Sequence, residues 1–123
     1  MVYKAAGYKL SVAQAQAWIK QATGKECPGP DIPDVLKRIL KDANINWLAI
    51  CGTSYEGKDT ILVVRHQGED RNSTMENCIP ANERPQDKKA KGIFLEMSGL
   101  KDEEVEWVTI PDPYGDLNPW WIG

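Results

Sequence analysis

The sequence predicts an α+β domain, with two N-terminal helices packed on a four-stranded, mainly antiparallel sheet. Three observations predict it. Two amphipathic helical stripes come first, within residues 11–43. Four short apolar stretches rich in strand formers follow, so helices and strands are segregated along the chain rather than alternating. The chain has 123 residues, 41% of them hydrophobic and 27% charged, which is the usage of one globular domain over residues 1–123.

The first helix is expected over residues 11–23. Ser11 and Gln14 have capping-box spacing, so the hydroxyl can accept from an N–H of the first turn while the amide reaches back. Val12, Ala15, Ile19 and Ala22 share one stripe with Trp18 beside it, and Gly24 stands where a left-handed C-cap belongs. Cys27-Pro-Gly-Pro30 breaks the chain. The second helix begins near Asp31, carries Pro33 and Asp34 in its first turn, and buries Val35, Leu36, Ile39, Leu40 and Ala43.

Trp47–Cys51 and Thr60–His66 read as strands joined by a glycine-containing hairpin, and both are near-continuously apolar, so this pair is expected to be covered on both faces, at least in part. Residues 67–91 show no apolar period and read as a long loop. Gly92–Met97 reads as a third strand, Leu100–Glu104 as a single helical turn, and Val105–Ile110 as a fourth strand. In that fourth strand, alternation places Val105, Trp107 and Thr109 on one face and Val108 and Ile110 on the other. The segment 111–123 holds three prolines and ends in Trp120-Trp121-Ile122-Gly123, so it reads as a docking arm that is neither helix nor central strand.

Few constellations could carry chemistry. Gly52–Asp59 fits the spacing of a phosphate loop and follows an apolar strand. Asp59 replaces the magnesium-binding hydroxyl, however, and Thr60–Val64 reads as strand, so no helix N-terminus would face an anion. A hairpin is the expectation there. His66 is the only histidine. It joins Arg65, Lys58 and Tyr55 as candidate ligand-binding residues in a cleft between the sheet and the 67–91 loop. Strict alternation would put Arg65 and His66 on opposite faces, so only one of them could face such a cleft. Cys27, Cys51 and Cys78 are odd in number and widely spaced, which gives no disulfide framework and no zinc clip. No metal site and no cofactor are expected. Asp102, Glu103 and Glu104 read as a solvated helix start rather than a pair of catalytic carboxylates.

Charge is uneven along the chain. Residues 1–25 carry four lysines and no acid, while residues 92–123 carry seven acids against Lys101. The net charge of −3 argues against binding a phosphate backbone, so nucleic acid is not an expected partner. No apolar run approaches the roughly 18 residues of a membrane span. The opening Met1-Val-Tyr-Lys lacks the apolar core of a signal peptide and the cysteines are unpaired in pattern, so a cytoplasmic location is expected.

Trp18, Trp47 and Trp107 fall on element faces and are expected in the core. Trp120, Trp121 and Ile122 are the candidate interaction residues, since indoles are favoured anchors at contacts. The leading functional expectation is a small intracellular, non-enzymatic binding protein that self-associates as a homodimer through its arm. The alternative is a small enzyme or carrier of a small molecule using the sheet–loop cleft. A third reading, a thiol-dependent redox protein, requires an exposed, acidified cysteine.

Overall fold

The computed structural model describes residues 2–72, 74 and 76–112. Its elements are β1 (Val2–Ser11), α1 (Val12–Thr23), α2 (Ile32–Asp42), β2 (Ala49–Tyr55), β3 (Lys58–Asp70), α3 (Pro85–Ser98) and β4 (Glu106–Asp112). Short 3₁₀ turns at Gly29–Asp31 and Asp102–Glu104 precede α2 and β4. The strands form one sheet in the order β2-β3-β1-β4, antiparallel throughout. The α+β class and the four-stranded antiparallel sheet therefore match the sequence reading.

Local chemistry explains the elements that were expected. Ser11 Oγ accepts from the Gln14 N–H at 3.1 Å, and Gln14 Oε1 accepts from the Ser11 N–H at 2.8 Å, completing the capping box of α1. Gly24 closes α1 at φ 75° with its N–H on the Lys20 carbonyl. The β2–β3 hairpin turns on Glu56 and Gly57, at φ 51° and 77°, between the paired residues Tyr55 and Lys58. Positive φ at both central residues is the turn whose twist suits a two-residue hairpin. The phosphate-loop segment thus becomes strand, turn and strand, and no helix begins at Lys58.

Three expectations are corrected. Gly92–Met97 is not a strand; it is the C-terminal part of α3. Pro85 opens that helix at its first position, and Ala90, Phe94 and Ser98 are buried along one face at helical spacing. The sheet reaches four strands because residues 2–11, for which the sequence predicts no element, form β1, one of its two inner strands. Consequently three helices, not two, accompany the sheet among the described residues. The loop expected over 67–91 also shrinks, since β3 runs to Asp70 and α3 starts at Pro85. Pro111 lies within β4, which is an edge strand and tolerates the missing N–H.

The register between β1 and β3 carries one irregularity. Ala6 faces His66, but Gly7 faces Val64, so Arg65 is an extra residue on β3. Such a bulge sends neighbouring side chains to the same side of a strand.

Both faces of the sheet are apolar, as expected for the β2–β3 pair. On one face the helices contribute Ala15, Trp18, Ile19, Ile32, Leu36, Leu40 and Phe94 to a core shared with Tyr8, Leu10, Ile50, Ile61 and Val63. Trp18 and Phe94 meet edge to face at 5.2 Å, and Trp47 and Trp107 pack partly buried against this core. On the other face Ala5, Ala49, Cys51, Leu62, Val64, Val108 and Ile110 form a second buried cluster, every member of which is a strand residue.

Gly92 lies inside α3 with open space where a side chain would project. Gly92→Ala is expected to raise stability by about 1 kcal/mol, read as a higher urea midpoint, because alanine costs less backbone entropy in a helix.

Candidate functional site

A connected set of polar side chains centres on Asp87, at the third position of α3. Its side chain has no solvent exposure. The carboxylate accepts from the backbone N–H of Arg84 at 2.8 Å, which caps the start of α3. It accepts from Arg65 Nε at 2.9 Å, and His66 Nε2 lies 2.9 Å away. Arg65 also donates from Nη1 to the Trp47 carbonyl at 2.9 Å.

Burial by itself would raise the pKa of Asp87. The Arg84 N–H, then the hydrogen bonds from His66 and Arg65, reverse this and hold the carboxyl below its ordinary value. An ionised carboxylate only accepts hydrogen bonds, so His66 Nε2 carries the proton in this contact. The His66 side chain is 37% exposed. Its ring meets Trp107 edge to face at 6.0 Å.

Tyr8 supplies the second half of the site. Its hydroxyl lies 2.5 Å from Glu83 Oε2 and 2.9 Å from the Asp87 carbonyl oxygen, so one phenolic proton serves two acceptors. Burial foremost, then the hydrogen bond and charge of Glu83, raise the Tyr8 pKa far above that of a free phenol. The Lys91 ammonium sits 5.5 Å from the Tyr8 ring. Further bonds fasten residues 79–83 to the sheet: Trp107 Nε1 donates to the Ala81 carbonyl at 2.8 Å, Thr109 Oγ1 accepts from the Ala81 N–H at 2.9 Å, and Lys4 Nζ donates to the Ile79 carbonyl at 2.7 Å. Tyr8→Phe removes the shared phenolic donor and is expected to cost about 1 kcal/mol, measured as a lower urea midpoint at neutral pH.

Of the expected site residues, the structure brings Arg65 and His66 together and sets Lys58 and Tyr55 apart. The strict-alternation expectation is corrected here. Because Arg65 is the bulge residue, both it and His66 reach the same carboxylate. Lys58 stands at the other end of the strand, seven residues away, about 23 Å at the usual strand rise. Tyr55 flanks the hairpin turn, where Lys9 Nζ lies 4.9 Å from its ring and pairs with Glu106 at 3.0 Å. Tyr55 and Lys58 line a separate hollow of about 340 Å³ together with Lys9, Glu56, Asp59 and Glu106.

Sequence reasoning missed Asp87, Glu83 and Tyr8. Pro85 followed by Asp87 is a helix-start pattern that could have located Asp87. Nothing in the sequence links it to Arg65 and His66.

The cysteines are spread out. Cys27 and Cys51 are buried and Cys78 is partly exposed, with none in a disulfide. Burial, with the charge of Asp31, pushes the Cys27 thiol up, away from the thiolate that the redox reading needs. Among the described residues no cluster of three His, Cys, Asp or Glu is placed to hold a metal ion, and no helix is long and apolar enough to cross a membrane. Trp120, Trp121 and Ile122, the expected interaction residues, lie outside the described residues.

Comparisons of the chain with protein-family models, with curated proteins and with solved structures found no match.

Proposed function

We propose that the protein is a small intracellular binding protein, not an enzyme, that self-associates through its C-terminal arm. The observation that carries this reading is the second face of the sheet. Seven apolar strand residues form a cluster there without a helix among its members. Apolar strand residues on the sheet face away from the helix-side core are suited to packing against a further apolar surface. Trp120, Trp121 and Ile122 supply apolar groups of the kind that anchor such contacts. The test compares the mass in solution of the full chain with that of a chain ending at Asp116. Twice the chain mass for the first and one chain mass for the second is the expected result. Two equally compact monomers remove the self-association claim.

The second reading is a carrier or enzyme acting on a small molecule where the sheet meets residues 79–83. The observation favouring it is the partly exposed His66 held on a buried carboxylate, an arrangement that orients an imidazole for proton transfer. Native mass spectrometry of freshly purified protein tests it. A co-purifying small molecule that is lost in His66→Ala supports this reading, and unchanged spectra of the bare chain count against it.

A further inference from the structure

We infer that residues 79–83 form a strap that lies along β1, closes the His66–Asp87 site and lifts from the sheet as a unit while the rest of the fold stays intact. The lifting stands by itself; its use in admitting a small molecule to His66 rests on the second reading above.

The path of the strap follows from the strand register. Lys4, Ala6 and Tyr8 of β1 pair with Pro111, Thr109 and Trp107 of β4, and alternation puts all three rows on the face that carries Tyr8 and the helix-side core. Residues 79–83 belong to neither helix nor strand and meet these rows in order. The Ile79 carbonyl accepts from Lys4, the Ala81 N–H and carbonyl are taken by Thr109 and Trp107, and Glu83 accepts from Tyr8. The anchors advance by two residues at a time on both segments, so the strap runs along β1 and in the same direction. Ala6 lies beneath this path, with 1% exposure although it is not a member of the helix-packed core. On its other side Ala6 faces His66 of β3. The strap also grips the indole N–H of Trp107, whose ring meets the His66 ring.

The way the strap is fastened makes it the part that lets go first. These four bonds run to side chains of β1 and β4, not to a backbone ladder. Each contributes little net free energy, because water replaces the partner when the bond breaks. No residue of 79–83 belongs to either buried apolar cluster, and Ile79 is 42% exposed. A segment that buries so little apolar surface opens locally at much smaller cost than the sheet beneath it. Its end at Arg84 is fixed, since the buried Asp87 carboxylate accepts from the Arg84 N–H and Pro85 opens α3 there. Arg84 is therefore the pivot, and α3 keeps its place when the strap lifts.

Hydrogen exchange followed by NMR tests the lifting, because the Ala81 N–H and the Trp107 indole N–H are both tied up by it. In the natural chain these two protons are expected to share one protection factor, at least about tenfold below that of the slowest β1 and β3 amides and insensitive to low urea. Protection equal to that of the sheet, falling with urea as the sheet's does, overturns the inference. Thr109→Val removes the acceptor of the Ala81 N–H. It is expected to lower the protection of the Trp107 indole about tenfold while the β1 and β3 amides keep theirs. An unchanged indole overturns the inference. Glu83→Ala, which frees the strap from Tyr8, takes the place of Thr109→Val if that variant loosens the sheet.

His66 is the only histidine, so its carbethoxylation by diethyl pyrocarbonate tests the closing of the site. The rate is expected to rise about tenfold in the loosened variant, as for a group bared by local opening. An unchanged rate beside a lifted strap overturns the closing. Native mass spectra of the bare chain, with exchange and carbethoxylation as expected, remove the second reading and leave the strap standing.

Discussion

Gly7→Ala is expected to cost about 4 kcal/mol or more, enough to lower the soluble yield of folded protein sharply. A Cβ built at Gly7 would lie 2.0 Å from the Val63 carbonyl oxygen, 2.8 Å from its carbon and 2.9 Å from Val64 Cα. All three are backbone atoms of the neighbouring strand, so no rotamer change relieves the contact. The close approach arises where β1 meets the bulge, since Gly7 is the first residue after the register shift. The alanine would push β1 off β3 at the centre of the sheet. Gly57→Ala is the useful contrast. It strains a positive φ of 77° but meets open space, and its expected cost is about 1 kcal/mol. Urea midpoints of the two variants check the pair. Similar midpoints, or a Gly7→Ala loss under about 1 kcal/mol, contradict the packing at the bulge.

Asp87→Asn is expected to cost about 3 kcal/mol at neutral pH, because it leaves the Arg65 guanidinium, only 14% exposed, opposite a neutral amide. Adding Arg65→Met to that variant should restore part of the loss, since an apolar side chain leaves no unpaired charge. The carboxyl of Asp87 titrates lower in the folded chain than its ordinary value of 3.8. The unfolded chain therefore takes up the proton first as pH falls, which favours unfolding. The stabilisation by Asp87 is complete above about pH 4 and disappears as pH drops through the lower folded value. Denaturant midpoints followed from pH 7 down to pH 2 should fall more steeply for the natural chain than for Asp87→Asn. Parallel profiles would show that the buried carboxylate contributes nothing to acid stability.

The parts of this fold that depend on neighbours in the chain were legible, and those that depend on distant partners were not. Ser11, Gln14 and Gly24 announce α1 because caps are satisfied within four residues. The hairpin was legible because β-branched runs flank a turn containing Gly57. β1 was not, since Ala5, Ala6 and Gly7 have weak strand preference and gain their place only by pairing with β3 and β4. α3 was misread because Gly92-Ile-Phe-Leu has the look of a strand, while its first turn fell within polar sequence. The site followed the same division. Arg65 and His66 were picked out as polar residues ending an apolar run, but the bulge that aligns them is a property of two strands together. Asp87 acquires its importance from burial, which no local pattern announces.

The sheet's connectivity has a consequence for biosynthesis. β1 precedes the other three strands in chain order, yet it is an inner strand, paired through Lys9 with Leu62 on one side and Glu106 on the other. While the polypeptide emerges from a ribosome, that strand has neither neighbour until the later hairpin and finally β4 have been made. Its edge facing β4 stays unpaired until that strand is made, so the described sheet closes through contacts over long sequence separations, a topology associated with slow rates. The interval during which nascent chains can pair with one another is set by that order of strands.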